Sequence, residues 1–183
     1  MVWKIKHLIL LLISFFIISC QTKETDNLKL TKEPFINTEI VTIDDNFKPI
    51  MGEIIYVPAY SYIYYSNRQR SHSLAITLSL HNTDVEFPIM IKSVKYYDSK
   101  GQLLEDYLSH PIQLNALSST NFYIEDDDTR GGVGGNFLIE WVAQKEVSSP
   151  IAESVMVSTA STQGISFVST GRIIKKLKFD DVK

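Results

Sequence analysis

The chain has 183 residues, with 18 basic and 21 acidic side chains, a formal charge of −3 and a single cysteine. One cysteine excludes an intrachain disulfide framework and a multi-cysteine metal site. A net negative chain also argues against nucleic acid as a partner, because phosphate binding needs a basic face.

The first element in chain order is a processing segment. Lys4 and Lys6 form a basic start, Leu8 to Ile18 is almost wholly apolar, and Ile17-Ile18-Ser19-Cys20 closes the run. That is the layout of a secretory signal, with a small residue before the cut. The apolar run is about half of the roughly 20 residues that a spanning helix needs. Its last four residues resemble the lipobox of bacterial lipoproteins, which implies that Cys20 is acylated and becomes the first residue of the mature chain. Residues 1–19 are therefore expected to be a lipoprotein signal peptide, with the lipid bilayer as the first partner. Gln21 is not the Asp linked to inner-membrane retention in many Gram-negative lipoproteins. In such a host the expected destination is the outer membrane. Removing residues 1–19 takes away Lys4 and Lys6 and leaves a charge of −5 on 164 residues. That length suits one domain, which buries roughly two-thirds of its unfolded surface.

Residues 20–51 read as the lipidated N-terminus and a flexible tether. Gln21 to Asn27 is polar and aperiodic, and Pro34 and Pro49 interrupt the remainder of the segment. Such a composition cannot bury enough surface to order itself. Glu39 to Ile43 is the exception, a short stretch that suits an edge strand.

Residues 52–174 carry the signature of an all-β domain. Strands are expected at 53–57, 59–65, 72–81, 89–97, 102–107, 111–114, 120–125, 137–144, 153–160 and 165–174. The clearest is 72–81, where Leu74, Ile76, Leu78 and Leu80 share one face and Ala75, Thr77 and Ser79 the other. That is period two with one face buried. Asp98-Ser99-Lys100-Gly101 is a hairpin signal, with Gly101 able to take positive φ. Phe137, Ile139 and Trp141 share a face and are expected in the core. Short turns force neighbouring strands to run antiparallel. The pattern predicts an immunoglobulin-like antiparallel β-sandwich of about eight strands, with a barrel as the alternative. Residues 175–183 read as a charged tail.

Three segments carry a family resemblance. Tyr56-Val57-Pro58-Ala59-Tyr60-Ser61, followed by the strand from Leu74 to Asn82, is similar to the start of a bacterial family defined only as a domain of unknown function (number 3124). The stretch from Glu125 through Asp126-Asp127-Asp128-Thr129-Arg130-Gly131-Gly132-Val133-Gly134-Gly135-Asn136 to Trp141 resembles its most distinctive part. Thr159-Ala160-Ser161-Thr162-Gln163-Gly164-Ile165-Ser166-Phe167 resembles another. The resemblance implies a small cell-envelope protein, often lipidated. It implies no activity, no catalytic residues and no cofactor.

Candidate sites are suggested by residue type. Asp126, Asp127 and Asp128 beside Arg130, with Gly131, Gly132 and Asn136, suit either a calcium loop rich in oxygen ligands or a structural connection in which Arg130 pairs with an Asp. The structural account is preferred, since consecutive residues of an extended chain point in alternate directions and Arg130 competes for the carboxylates. It predicts positive φ at two or more of Gly131, Gly132, Gly134 and Gly135. A serine hydrolase would need a nucleophile, a base and an orienting carboxylate. Ser161, Ser166 and Ser169 with His72, His81 or His110 offer the parts without a nucleophile-elbow motif. The histidines are scattered, so zinc is not suggested. Tyr60, Tyr62 and Tyr64 are expected on one face of one strand, ahead of Arg68 and Arg70. Tyr and Arg dominate binding hot spots, although a half-buried tyrosine stripe also suits an ordinary strand face. The leading reading is a lipid-anchored, non-enzymatic binding or accessory module that contacts an envelope protein or glycan. An envelope hydrolase and a calcium-binding module are the alternatives.

Overall fold

A computed structural model describes residues 39–40, 47–159 and 164–179. The signal segment, Cys20, most of the tether, Ser161 and the last four residues of the tail lie outside the described residues. In chain order the strands are β1 (Glu39–Ile40), β2 (Met51–Ala59), β3 (Tyr62–Tyr65), β4 (Arg70–Ser73), β5 (Ala75–His81), β6 (Ile89–Tyr97), β7 (Leu103–Asp106), β8 (Ile112–Leu114), β9 (Ser119–Ile124), β10 (Gly135–Ala143), β11 (Ile151–Ser158), β12 (Ile165–Thr170) and β13 (Arg172–Lys176). A 3-10 turn at Gly132–Gly134 precedes β10.

The strands form an antiparallel β-sandwich, not a barrel. One sheet has the order β1-β8-β6-β10-β2-β13, with β7 also paired to β6. The other has the order β12-β11-β5-β9. A third, two-stranded sheet holds β3 and β4 alone. The described residues thus contain thirteen strand segments, against the ten ranges read from the sequence and the sandwich of about eight strands expected from them. Two expected strands are each split between sheets, and a third divides between the small sheet and β5.

Period-two alternation supplies the core. Ile55 and Val57 of β2, Phe137, Ile139 and Trp141 of β10, and Ile112 and Leu114 of β8 face Ile76, Leu78 and Leu80 of β5, Phe122 and Ile124 of β9, and Ala152 and Met156 of β11. All are buried. Each large side chain so buried is worth about 1.5–3 kcal/mol relative to exposure. Trp141 is fully buried beside Phe137 and Ile139, on the face read from the sequence. In β6 the alternation breaks: Ile89 and Ile91 point inward at odd positions, Val94 and Tyr96 at even ones. The register against β10 skips between Glu140 and Trp141, leaving Lys92 unpaired. A β-bulge there adds one residue and resets the parity.

The expected strand 165–174 is two strands. β12 closes the four-stranded sheet, and β13 pairs with β2 in the other. The chain crosses at Gly171, where an added Cβ would lie 2.7 Å from the Ala152 carbonyl oxygen and 2.8 Å from Ile55. β13 runs on to Lys176, taking in Lys175 and Lys176 from the charged C-terminal stretch.

Candidate functional site

The acid- and glycine-rich segment between β9 and β10 is a latch across one end of the sandwich. Tyr96 reaches out of β6, and its hydroxyl meets the Ser61 hydroxyl at 2.8 Å in a buried hydrogen bond. The latch passes directly over this pair. A Cβ on Gly131 would fall 1.8 Å from the Tyr96 hydroxyl and 2.7 Å from Ser61 Oγ, so no other residue fits without displacing them. Ser99, in the β6–β7 hairpin, clamps the latch from the other side. Its hydroxyl donates to the Gly131 carbonyl at 2.9 Å and accepts from the Gly134 N–H at 3.0 Å. The Ser61 and Ser99 N–H groups donate to the Gly132 and Gly131 carbonyls. Of the four glycines only Gly132 has positive φ, at +73°. The expectation of two or more was wrong. Gly131 and Gly135 both sit at φ −63°, and Gly131 is required by close approach instead.

Arg130 forms the anticipated ion pair. Its Nε and Nη2 donate to the two carboxylate oxygens of Asp128 at 2.9 and 2.7 Å, and its backbone N–H donates at 3.1 Å. These bonds hold the Asp128 carboxyl below its usual range, chiefly through the Arg130 side chain, while the pair raises Arg130. Burial raises the hydroxyls of Tyr96, beneath the latch, and of Tyr107, packed on Phe122 and Phe137. Asp126 turns away to the outer face of the four-stranded sheet, where it lines a shallow cleft of about 320 Å³ with Ala75, Thr77, Tyr123, Val157 and Thr159. Asp127 is exposed, and its carbonyl accepts the Thr129 N–H. Asn136 sits in the β10 ladder opposite Pro58 and Tyr97. The three carboxylates therefore diverge. Among the described residues no group of three or more His, Cys, Asp and Glu side chains is placed to hold a metal ion.

The tyrosine stripe is not one strand face. Its strand is broken at Tyr60–Ser61, because the Ser61 N–H and C=O are taken by Gly132 and Leu74 rather than by a neighbouring strand. Tyr60 is left packed on the core, its ring 5.9 Å from that of Phe167. Tyr62 and Tyr64 fall in the separate β3–β4 hairpin, edge to face at 5.4 Å, with their hydroxyls 3.4 Å apart. Opposite them in register are Ser73 and Ser71. On the other face the Tyr65 ring stacks on His72 at 4.3 Å and 13°. Ile63 fixes the base of the hairpin against the core.

Ser66, Asn67 and Arg68 at the tip all have left-handed φ, between 51° and 65°. Left-handed φ in successive non-glycine residues is strained backbone. Tyr64, Tyr65, Arg68 and Arg70 are exposed, and neither arginine joins an ion pair among the described residues. The sequence holds no Asp or Glu between Glu53 and Asp84. The hairpin is thus a cationic, aromatic projection on an acidic chain.

A serine–histidine contact does occur, between His81, one of the histidines considered from the sequence, and Ser79, which was not among the serines considered. Ser79 Oγ and His81 Nε2 are 2.9 Å apart, two residues along the outer face of β5. No carboxylate is hydrogen-bonded to His81 among the described residues, so the contact lacks the orienting third member of a triad. Ser166 and Ser169 lie in β12, away from any histidine bond. Asp126, Arg130, Tyr60 and His81 share no hydrogen bond or ion pair.

Residues 52–174 match a family described as a protein of unknown function, DUF3124. The chain belongs to the DUF3124 family. A comparison with curated proteins finds no match. Among solved structures the chain is similar to the crystal structure of Thermotoga maritima 1070, at 9% identity and a TM-score of 0.39, covering 69% of this chain and 96% of that one. In this DUF3124 domain the latch's backbone hydrogen bonds and the Arg130–Asp128 pair are made within the fold. Tyr62, Tyr64, Arg68 and Arg70 were offered by the sequence as a contact face, but their separate hairpin was hidden because its alternation reads as an ordinary strand. The run without acids around it was the available signal.

Proposed function

We propose that the protein is a lipid-anchored envelope protein whose β-sandwich is a non-enzymatic binding module, with the β3–β4 hairpin as its contact element and an anionic envelope glycan as its partner. The observation that carries this reading is the hairpin's composition against its surroundings. Exposed tyrosines, and arginines with no ion pair among the described residues, project from a domain whose acid- and glycine-rich segment makes internal hydrogen bonds. Tyrosine rings offer flat apolar faces for the C–H faces of sugars, and their hydroxyls hydrogen-bond at the rim. Ser71 and Ser73 line the same face. Arg68 and Arg70 supply planar forks suited to carboxylate or phosphate groups. Ile63 preorganises the arm, which reduces the ordering cost of binding.

Acylated Cys20 would hold this module on the bilayer, in the outer membrane of a Gram-negative host, at about 0.8 kcal/mol per buried methylene. No nucleic acid partner is proposed for a mature chain of charge −5.

Two experiments test the halves separately. Labelled palmitate should be incorporated by the native protein and not by Cys20→Ala; label on the variant would refute the anchor. Immobilised anionic envelope polysaccharide should retain the native protein and lose it on Arg68→Ala/Arg70→Ala, with steep salt dependence. Equal retention of both proteins would refute the hairpin as the contact.

A further inference from the structure

One edge of the two packed sheets differs from the others. An edge strand presents unpaired N–H and C=O groups, and proteins usually blunt it with charge, proline, a bulge or short length. At one edge of the larger sheet, β13 carries Arg172, Lys175 and Lys176 and has a register shift between Ile173 and Lys175. β1, at the other edge, is two residues long. β7 ends in Glu105 and Asp106 and is also irregular in register. In the smaller sheet, β9 runs straight into Glu125 and three aspartates.

β12 has none of these devices. Ile165-Ser166-Phe167-Val168-Ser169-Thr170 contains no charge, proline or glycine, and all six residues pair with β11 in unbroken register. Its outward groups can be identified. The Gly171 N–H donates to the Ala152 carbonyl at 2.8 Å. Hydrogen-bonded pairs alternate along an antiparallel ladder, so Ser169, Phe167 and Ile165 bond inward to β11. The N–H and C=O groups of Ser166, Val168 and Thr170 face away, and β12 has no second partner strand among the described residues. All three side chains are exposed, Val168 at 53%.

We propose that β12 is the interface between two copies of this chain, joined antiparallel about a two-fold axis at Val168 into one continuous eight-stranded sheet. The sequence of the strand favours a second copy as occupant. Two-fold pairing sets a strand against itself, so any charge meets its like or a near neighbour, and like charges directly opposite are destabilising. Here Val168 meets Val168, Ser166 meets Thr170, Phe167 meets Ser169, and the first charged residue, Arg172, meets Gly164. The outward groups of Ser166, Val168 and Thr170 then fall in hydrogen-bonded pairs across the axis. The row Val168, Val155, Thr77 and Tyr123 on the outer face, in register across the sheet, continues uncharged into the second copy.

Sedimentation of the full mature chain in detergent tests this, after correction for bound detergent. The native protein should have twice the mass of one chain. Val168→Lys should sediment as one folded chain, with an unfolding midpoint that no longer rises with protein concentration as the native dimer's does. In a Cys20→Ser background, Val168→Cys should form a self-linked dimer under mild oxidation, and Thr77→Cys, central on the same face, should not. A native protein that stays monomeric overturns the proposal. So does a dimer that persists in Val168→Lys, or equal crosslinking at the two positions.

Discussion

The latch at Glu125–Asn136 and the hairpin at Tyr62–Ser73 engage the rest of the domain to very different extents. Aligned carboxylates and clustered glycines have the look of a ligand loop, yet the latch's backbone groups are bonded to the domain and its carboxylates diverge. Ser61, Ser99 and Tyr96 meet it from three other elements, and Asp128 is occupied by Arg130. The hairpin's alternation reads as an ordinary aromatic strand, yet it pairs with neither large sheet, and among the described residues Arg68 and Arg70 join no ion pair. Residue type shows what a segment is able to bind. Whether that capacity is already spent depends on which distant groups the fold brings to it.

The sharpest way to break this contrast is Gly131→Ala. The new methyl must displace the Tyr96 hydroxyl or Ser61 Oγ, both within 2.7 Å of it. Overpacking of this kind costs about 1–3 kcal/mol. Urea unfolding should show a lowered midpoint at constant slope. Tyr96→Phe removes the atom in closest conflict, so the double variant should be more stable than the sum of the single losses predicts. An unchanged midpoint in Gly131→Ala would mean that the latch does not press on this pair.

A smaller, pH-dependent effect separates the latch's charges from its packing. Arg130 is 57% exposed on its side chain, so its bidentate pair with Asp128 should contribute about 0.2–1 kcal/mol. Arg130→Ala should therefore lower stability slightly at pH 7. The sign against pH is set by Asp128, whose folded pKa lies below its unfolded value near about 3.9. Above that value the unfolded and folded chains both carry the carboxylate, and the contribution is fully present. As pH falls through the unfolded and then the folded pKa, the unfolded chain takes up the proton first and the contribution is lost. Asp84 behaves alike, lowered mainly by the Phe87 and Glu86 N–H groups. Stability of the native protein should drop between about pH 5 and pH 2. In Arg130→Ala the drop should be shallower, with the Asp84 part remaining. Parallel curves for the two proteins would show that the ion pair does not couple to folding.

The sheets were legible where alternation is local and continuous. Leu74, Ile76, Leu78 and Leu80 face inward as read, and Trp141 lies on the face of Phe137 and Ile139. The misreadings share one cause. At Tyr60–Ser61 and at Gly171 the apolar pattern continues along the chain while the hydrogen-bonding partner changes, and a partner tens of residues away leaves no trace in a local period. Gly131 is a related case. Its requirement is set by a tyrosine 35 residues earlier, so the glycine cluster was visible but its reason was not. The cation excess of the hairpin could have been read from sequence, as a long run without acids in an acidic chain.

The smallest effect on stability, and the most informative about function, belongs to Tyr64→Ala. Tyr64 is 48% exposed and touches Tyr62 edge to face, with no place in the core. Its removal leaves Ile63 to hold the base of the hairpin, so the unfolding midpoint should match the native protein. Binding should respond differently. An isolated two-stranded arm is marginal by itself, and its aromatic pair provides most of the flat surface available to a sugar ring. Retention on anionic polysaccharide should fall in Tyr64→Ala as it does without the arginines, but with unaltered salt dependence, because the cations remain. A variant that unfolds early would assign the tyrosines to structure. One that folds and binds normally would leave the arginines as the whole contact and reduce the arm to an electrostatic patch.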